Sequence, residues 1–454
     1  MSDLVVVATV MQTPDRETLE VLHDAAVVVR DGAITAVLGP ADPGRAEALA
    51  AATEVVAIEP PAVLVPGLVD VHLHASQWPQ LGSALDIPLE EWLFQHTFPL
   101  EARFADVDFA VGVWESLVSG LLSEGTTTAV MFATVHEEAT VELARVCGDL
   151  GLRADVGRVA MDLPDGTPEW YRDASPSASV EASHRSIQAI EALGGGRSLV
   201  RPIITPRFVP SCTDAALTGL GELAEATGVS IQTHCSESDW AHGYVLDRFG
   251  LSDARVLDRF GLLREHTVVA HGVQLGTDDL DLLRERGAGI AHCPLSNAYF
   301  ADSALPVREA LDRGVGIGLG SDVAGGFDAS MLRQCATAVT SSRMLESGVD
   351  PAVAPTSRGR ADARIDTTAA FWMATLGGAE LLGLPVGLLE PGRRFDAVVL
   401  DPTSPGSSIT EWPDLDDDAR RFERFVRLAG RADVARVWVD GRAVVGDHAT
   451  LQSR

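Results

Sequence analysis

Eight short apolar segments, separated by longer helical stretches, constrain the fold of this chain more than any other feature. All eight lie between Pro66 and Leu384, where the strand-like segments are Leu68–His74, Thr127–Phe132, Ala154–Ala160, Val200–Thr205, Ser230–His234, Thr267–His271, Gly289–His292 and Val315–Leu319. Alternation of such segments with helices is typical of βα units and a parallel sheet. Eight units predict an α/β fold, a closed (β/α)8 barrel of the TIM type, with functional groups at the carboxyl ends of its strands.

The two ends of the chain have a different pattern, in which short β-rich runs alternate with tight turns. These runs are Leu4–Val10, Ala25–Val29, Ala33–Leu38, Phe395–Leu400 and Val434–Val439. Runs of this kind are typical of antiparallel strands and hairpins. We therefore predict that residues 1–65 and 385–454 pair into one small β-sandwich module beside a metal-dependent barrel formed by residues 66–384.

Charge and composition limit the chemistry. The formal net charge of −30 disfavours a nucleic-acid partner, because such a chain repels a phosphate backbone, and a small neutral substrate is easier to accommodate. The 35 basic residues are all arginines, so a Schiff base, a P-loop lysine and a carboxylated lysine that bridges two metals are excluded. Any metal site should hold one ion per chain.

The cysteines and the amino terminus suggest where the chain works. The five cysteines are scattered and never occur as CxxC pairs, so neither a disulfide framework nor a cysteine zinc cluster is expected. The apolar run from Leu4 to Met11 is too short to span a bilayer. We expect a cytoplasmic protein without export or membrane insertion.

Residues of the metal-ligand type end several predicted strands. His72 and His74 alternate along the first strand, so both side chains point into the barrel mouth and can bind one metal. His234, His271 and Asp322 end later strands. Hydrogen-bonded core histidines and a helix-capping aspartate are the alternative for each residue alone. Imidazoles with one carboxylate suit zinc or ferrous iron better than magnesium.

Two further residues lie near this predicted ligand set. Glu237 follows His234 by three positions, in the loop above the strand end, where a carboxylate can carry protons to a nitrogen leaving group. A solvated loop glutamate is the alternative. His292 ends the seventh strand and could be another ligand, although a supporting role is favoured.

With these positions in place, the sequence resembles the amidohydrolase superfamily. The resemblance is carried by Pro66-Gly67-Leu68-Val69-Asp70 leading into His72-Leu73-His74, and by the later strand ends. More narrowly, four strings resemble the guanine deaminase family. They are His74-Ala75-Ser76-Gln77, the segment from Pro88 to Pro99, Thr205-Pro206-Arg207-Phe208, and the segment from Gly320 to Gly326.

The resemblance implies a function and a set of roles. A zinc ion, one per chain with ferrous iron possible, would be held by His72, His74, His234 and Asp322, with His271 beside the hydrolytic water. Gln77, Arg207 and Phe208 would bind the purine base guanine, and the protein would be a homodimer. The donors of Arg207, the amide of Gln77 and the ring of Phe208 suit such a base.

The implied reaction converts guanine to xanthine and ammonia in purine catabolism or salvage. Asp322 and His271 would help to deprotonate water, hydroxide would attack C2, and Glu237 would protonate N3 and assist ammonia departure. Trp78 and the string Cys235-Ser236-Glu237-Ser238 depart from the family pattern. Another aminated heterocycle, such as 8-oxoguanine, a pterin or a triazine, is therefore the alternative substrate, and a non-catalytic barrel scaffold is less favoured. Residues 78–103 are a candidate lid or a fixed packing loop.

Overall fold

A computed structural model describes residues 4–193 and 199–446 of the chain. The predicted terminal segments extend into residues 1–3 and 447–454, which lie outside the described residues. The strands are β1 (Leu4–Gln12), β2 (Glu20–Arg30), β3 (Ala33–Leu38), β4 (Glu54–Ala57), β5 (Val63–Pro66), β6 (Leu68–His74), β7 (Thr126–Phe132), β8 (Arg153–Gly157), β9 (Val159–Ala160), β10 (Val200–Pro202), β11 (Thr205–Pro206), β12 (Gln232–Cys235), β13 (Val268–His271), β14 (Gly289–His292), β15 (Gly316–Leu319), β16 (Ala397–Leu400), β17 (Val434–Val439) and β18 (Arg442–Val445).

Helices connect and cover these strands. They are α1 (Arg45–Ala51), α2 (Leu89–Trp92), α3 (Phe98–Glu101), α4 (Val107–Ser123), α5 (Glu137–Leu150), α6 (Pro176–Leu193), α7 (Asp214–Thr227), α8 (Asp239–Phe249), α9 (Asp253–Arg259), α10 (Thr277–Arg286), α11 (Pro294–Ser296), α12 (Val307–Asp312), α13 (Met331–Ser347), α14 (Thr367–Met373), α15 (Leu376–Leu381) and α16 (Asp418–Leu428). Within residues 4–193 and 199–446, every helix is too short or too polar to cross a bilayer.

The strands from the two chain ends form one mixed sheet. Its order is β18-β17-β16-β5-β1-β2-β3, with β4 paired to β1. The predicted strands Ala33–Leu38 and Val434–Val439 are confirmed to the residue. Strands β4 and β5 were not predicted, since each has four residues and neither shows a clear alternation of apolar and polar side chains.

A close approach between two turns joins the ends of the chain. A Cβ atom at Gly32 would lie 2.2 Å from the carbonyl oxygen of Asp440, so no larger residue fits there without displacement. Gly32 also has a φ of 74°, in the left-handed region that favours glycine. The turn between β2 and β3 therefore packs directly against the turn between β17 and β18.

The strands between the chain ends are parallel and follow chain order. They form the sheets β6-β7-β8-β10, β9-β11 and β12-β13-β14-β15. A bridge between Ile204 and Ile231 links the first group to the last. The backbone N–H of Asp322 donates to the carbonyl oxygen of His72 at 2.9 Å, so the residues after β15 return to β6. The carboxyl ends of β6, β12, β13 and β15 therefore meet.

Two of the eight predicted strands are interrupted. The segment 154–160 divides into β8 and β9 at Arg158, whose guanidinium forms a buried ion pair with Asp173. The segment 200–205 divides into β10 and β11 at Ile203 and Ile204, where Ile204 turns to bridge Ile231 ahead of β12. The other six segments match observed strands to within two residues at each end.

The largest apolar cluster lies between the central strands and the helices outside them. Trp114 on α4 is fully buried there, with its ring stacked on Phe104 at a centroid distance of 4.6 Å. Its indole N–H donates to the carbonyl oxygen of Ala139 at 3.0 Å. The terminal sheet has its own cluster, which includes Val6, Val27 and Phe395. The largest cluster also contains apolar side chains of β5, β16 and β17, so the terminal sheet shares the central core and buries a further cluster of its own.

Truncation of Trp114 should test this core directly. We expect Trp114→Ala to lower the free energy of unfolding by about 3–5 kcal/mol, because it removes a buried ring and leaves a cavity and an unpaired carbonyl. The matched control is Trp170→Ala, since Trp170 is 59% exposed and should change stability by less than about 0.5 kcal/mol. Urea denaturation measures both, and equal effects in the two variants would contradict the assignment.

Candidate functional site

The predicted ligand residues lie together at the carboxyl ends of four central strands. His72 and His74 lie on β6, His234 on β12 and His271 on β13, and Asp322 follows β15. All five side chains are buried. The alternation of side chains along β6 places His72 and His74 on the same side, as the sequence pattern predicts.

The nitrogen and oxygen atoms of these residues surround one point. Ligand atoms of His72, His74 and His234 lie within 4.8 Å of one another, and the Nε2 atoms of His74 and His234 are 2.9 Å apart. The Oδ1 atom of Asp322 lies 3.2 Å from Nε2 of His72 and 3.7 Å from Nε2 of His74. Three imidazoles and one carboxylate thus converge from distant parts of the sequence.

The protonation of these groups fits a bound cation. Nδ1 of His234 donates to the carbonyl oxygen of Arg207 at 2.5 Å, so its Nε2 is left as a lone pair that faces His74. Nε2 of His72 is buried and faces Oδ1 of Asp322 at 3.2 Å. Burial lowers the pKa of His74 and of His234 well below the usual range, which keeps both imidazoles neutral. A cation between the two Nε2 atoms would accept the lone pairs of both neutral imidazoles.

Asp322 supplies the negative charge of the group. Burial alone would raise its pKa, but His72 and the neighbouring imidazoles lower the pKa below its usual range. The donor set therefore consists of three neutral nitrogens and one carboxylate oxygen, which fits a single divalent cation such as zinc or ferrous iron.

The turn that carries Asp322 is held in a strained conformation. Asp322 has a φ of 46°, which is uncommon for a residue other than glycine. The carboxylate of Asp70 accepts from the N–H of Ser321 at 3.0 Å and from its hydroxyl at 2.5 Å, and so fixes this turn. Such strain persists where the surroundings over-determine the backbone, as they often do at functional sites.

Glu237 and His271 face each other beside the ligand set. Oε1 of Glu237 lies 3.5 Å from Nε2 of His271, which in turn lies 3.8 Å from Oδ2 of Asp322. Nδ1 of His271 donates to the amide oxygen of Asn297 at 2.9 Å, so Nε2 is the nitrogen free to accept a proton. Burial raises the pKa of Glu237. An acid and a base are thus placed for proton transfer at one side of the site.

A cavity opens onto these groups. The predicted substrate-binding residues Gln77, Arg207 and Phe208 all line it, together with His74, His234, Glu237 and Asp322. Phe208 packs edge-on against His234 at a ring distance of 6.2 Å.

Sequence reasoning missed several residues of this cavity. Leu89, Trp92 and Leu93 come from the segment 78–103, and Phe300 from the loop after β14. Trp92 and Phe300 pack with their ring centroids 5.0 Å apart. This segment had been singled out by the resemblance of the string Pro88-Leu89-Glu90-Glu91-Trp92. Nothing in that string shows that its apolar side chains point inward over the site.

Two polar residues were also missed. Asn297 orients His271, and Glu101 binds both Arg207 and Gln77. Both are separated from their partners by 24 residues or more, so no local spacing could reveal them.

His292 lies apart from the ligand set. It is buried at the end of β14, and neither of its ring nitrogens has a hydrogen-bond partner. Burial lowers its pKa to about 3, so the ring is neutral. Among residues 4–193 and 199–446, the groups of ligand atoms close enough to share an ion do not include His292.

Comparison with known proteins gives a consistent result. The sequence profile of the Amidohydrolase family matches residues 63–444. A probable guanine deaminase of Schizosaccharomyces pombe is 35% identical over 452 residues, which are 97% of this chain and 83% of that protein. The guanine deaminase of Homo sapiens is 38% identical over 389 residues, which are 84% of this chain and 82% of that protein.

A solved structure extends the likeness to three dimensions. The crystal structure of a guanine deaminase from C. acetobutylicum, with guanine bound in the active site, is 29% identical and has a TM-score of 0.87. The match covers 98% of this chain and 100% of that chain. The chain therefore belongs to the amidohydrolase family, and its relatives within that family are guanine deaminases.

Proposed function

We propose that this protein hydrolyses guanine to xanthine and ammonia. One observation carries the proposal: a cavity has the paired donors of Arg207 and Gln77 among its lining residues and opens onto the histidine and aspartate cluster beside Glu237. The guanine deaminase relatives support the same reaction. Guanine and one water would give xanthine and one ammonia, with the C2 amino group as the leaving group.

His72, His74, His234 and Asp322 would hold a single divalent cation, and zinc is the ion we propose because three imidazoles with one carboxylate suit it. When bound, such a cation lowers the pKa of water toward neutrality and so provides hydroxide for attack on C2. Ferrous iron is the alternative that metal analysis would distinguish.

The chain's own residues would move the protons. His271 and Asp322 would accept the proton that water loses, because Nε2 of His271 has no other hydrogen-bond partner. Glu237, whose pKa burial raises, would give a proton to N3 of the ring and later assist the departing ammonia. Asn297 would hold the tautomer of His271 that accepts at Nε2.

Gln77, Arg207 and Phe208 would bind the base. Arg207 would donate to the purine carbonyl oxygen and the neighbouring ring nitrogen, and Gln77 would both donate and accept. Phe208 would stack on the ring. Leu89, Trp92 and Phe300 would exclude water from the opposite side.

Phe208 provides a test of this binding role. We expect Phe208→Ala to raise the KM for guanine about 10- to 100-fold, because base stacking on an aromatic ring contributes about 1–3 kcal/mol. Phe208→Leu keeps much of the apolar volume and serves as the control for stacking. Steady-state kinetics measure both, and a KM unchanged in the alanine variant would remove Phe208 from the binding site.

The function is tested by adding guanine to purified protein of known metal content and following the formation of xanthine by ultraviolet absorbance. Measurement of ammonia release across 8-oxoguanine, pterins and triazines would show whether another aminated ring is preferred. A protein without turnover and with far less than one metal ion per chain would instead favour the non-catalytic scaffold.

Further parts of the proposal concern the architecture. We infer that the central strands close into a (β/α)8 barrel over residues 66–384, and that residues 1–65 and 385–454 form a β-sandwich. The hydrogen bond from Asp322 to His72 supports the first inference. The apolar cluster of the terminal sheet that includes Val6, Val27 and Phe395 supports the second. The segment 78–103 is proposed as a lid, which limited proteolysis with and without a purine would test.

The setting of the protein completes the proposal. All five cysteines are free and buried, which suits a reducing cytoplasm. We also propose a homodimer, since two-fold assemblies are the commonest oligomers. Analytical ultracentrifugation of the purified protein would decide its oligomeric state.

A further inference from the structure

Glu101 lies between the two polar residues of the proposed purine edge. Its carboxylate accepts from Nη1 of Arg207 at 2.6 Å and from Nη2 at 3.2 Å. The same carboxylate accepts from Nε2 of Gln77 at 2.9 Å. Glu101 ends α3, in the segment that covers the cavity, so one buried acid ties this segment to both binding residues.

These contacts determine which way the amide of Gln77 points. Its NH2 group faces the carboxylate of Glu101, and its Oε1 accepts from the backbone N–H of Ala324 at 3.2 Å. A flipped amide would place its oxygen against the carboxylate of Glu101 and its NH2 group against the N–H of Ala324. Two acceptors would then face each other, and so would two donors. Glu101 therefore leaves one N–H and one lone pair of Gln77 for a ligand, in a defined arrangement.

Glu101 also cancels the charge of Arg207. The side chains of the pair are only 1% and 3% exposed, so solvent screens them little. Burial raises the pKa of the nearby Tyr171 well above its usual range, so that residue is a neutral phenol. Arg158 has its own partner in Asp173. Without Glu101, the guanidinium in the cavity wall would lose its ion-pair partner, and the more distant Glu237 would be the acid left to oppose its charge.

We propose that Glu101 is a positioning and specificity-determining residue, which makes the edge formed by Arg207 and Gln77 electrically neutral and so favours a neutral purine over an anionic one. This inference rests on the proposed function. Xanthine carries an imide N–H between two carbonyl groups and ionises more readily than guanine. A neutral edge therefore retains the reactant without retaining the ionised product.

The test compares two purines that carry no C2 amino group and are not turned over. Dissociation constants for xanthine and for hypoxanthine, which stays neutral, are measured by calorimetry in mildly alkaline buffer for metal-analysed wild type and variants. We expect E101Q to shift the preference toward xanthine by at least about tenfold, because Arg207 then lacks its ion-pair partner. E101D, which keeps the charge but shortens the side chain, should weaken both purines and retain the wild-type preference.

A second variant removes the positive charge of the pair and tests the inference even if E101Q does not fold. R207Q leaves Glu101 as an unopposed negative charge, so its preference should move away from xanthine by at least about tenfold. The double variant E101Q/R207Q should return to the wild-type preference. The charge role would be overturned if E101Q weakened the binding of xanthine and of hypoxanthine equally. It would also be overturned if E101D showed the same preference as E101Q. Guanine turnover by the wild type is measured separately, so failure of the proposed function is distinguishable from failure of this inference.

Discussion

Replacement of Glu237 by glutamine should lower kcat for guanine by about 10²- to 10⁴-fold, the usual contribution of a positioned general acid or base. Glutamine has nearly the same shape but cannot deliver a proton to N3 of the ring. The residue faces His271 across 3.5 Å and lies outside the proposed ligand set, so metal content and the KM for guanine should change little. Steady-state assays of xanthine formation measure kcat and KM, and elemental analysis measures the metal content.

The control for this variant is Glu222→Gln, because Glu222 is an exposed glutamate on α7. Its kcat should equal that of the wild type. Near-normal turnover by Glu237→Gln would remove Glu237 from the proton-transfer role. A loss of metal in the same variant would instead assign the residue to the ligand set.

Replacement of Asp322 by asparagine should abolish both metal binding and turnover. Loss of a residue that merely supports a metal ligand typically costs 10- to 100-fold in affinity or activity, so loss of the ligand itself should cost at least about 100-fold. The carboxylate is the negative charge among three neutral imidazoles, and an amide oxygen binds a divalent cation far less strongly. Elemental analysis of the purified variant measures the first effect and xanthine formation the second.

Thermal unfolding gives a readout of Asp322→Asn that does not depend on activity. A ligand that binds the folded state raises the melting temperature, so added zinc should stabilise metal-depleted wild type but not the variant. Asp165→Asn, at an exposed position, is the control and should respond to zinc as the wild type does. Equal stabilisation of all three proteins would place the cation elsewhere.

Much of the fold was predictable because it depends on local pattern. The alternation of apolar strands and helices predicted the central strands, and Gly289–His292 was located to the residue. Strands β4 and β5 were missed, since four-residue strands carry little periodic signal and form through pairing with distant partners. The interruption at Arg158 depends on an ion pair with Asp173, which the strand pattern does not contain.

The residues of the candidate site also include some that the sequence predicted and some that it did not. His72, His74, His234, His271 and Asp322 could be singled out because they end strands. Glu101 could not, although it is only 1% exposed, because it lies 106 residues from its partner Arg207. Its string, Phe98-Pro99-Leu100-Glu101, has no property that distinguishes it from a surface helix turn.

The sequence by itself determined which side chains end the central strands and which way they point, because alternation along a strand and the common edge of parallel strands are properties of the backbone. Tertiary structure alone decided what surrounds those side chains. Asn297 orients His271, Asp70 holds the turn of Asp322, and Glu101 pairs with Arg207, all across contacts that no local pattern records. Protonation depends on burial and on neighbours in space, so the chemistry of the site was settled only when the chain had folded.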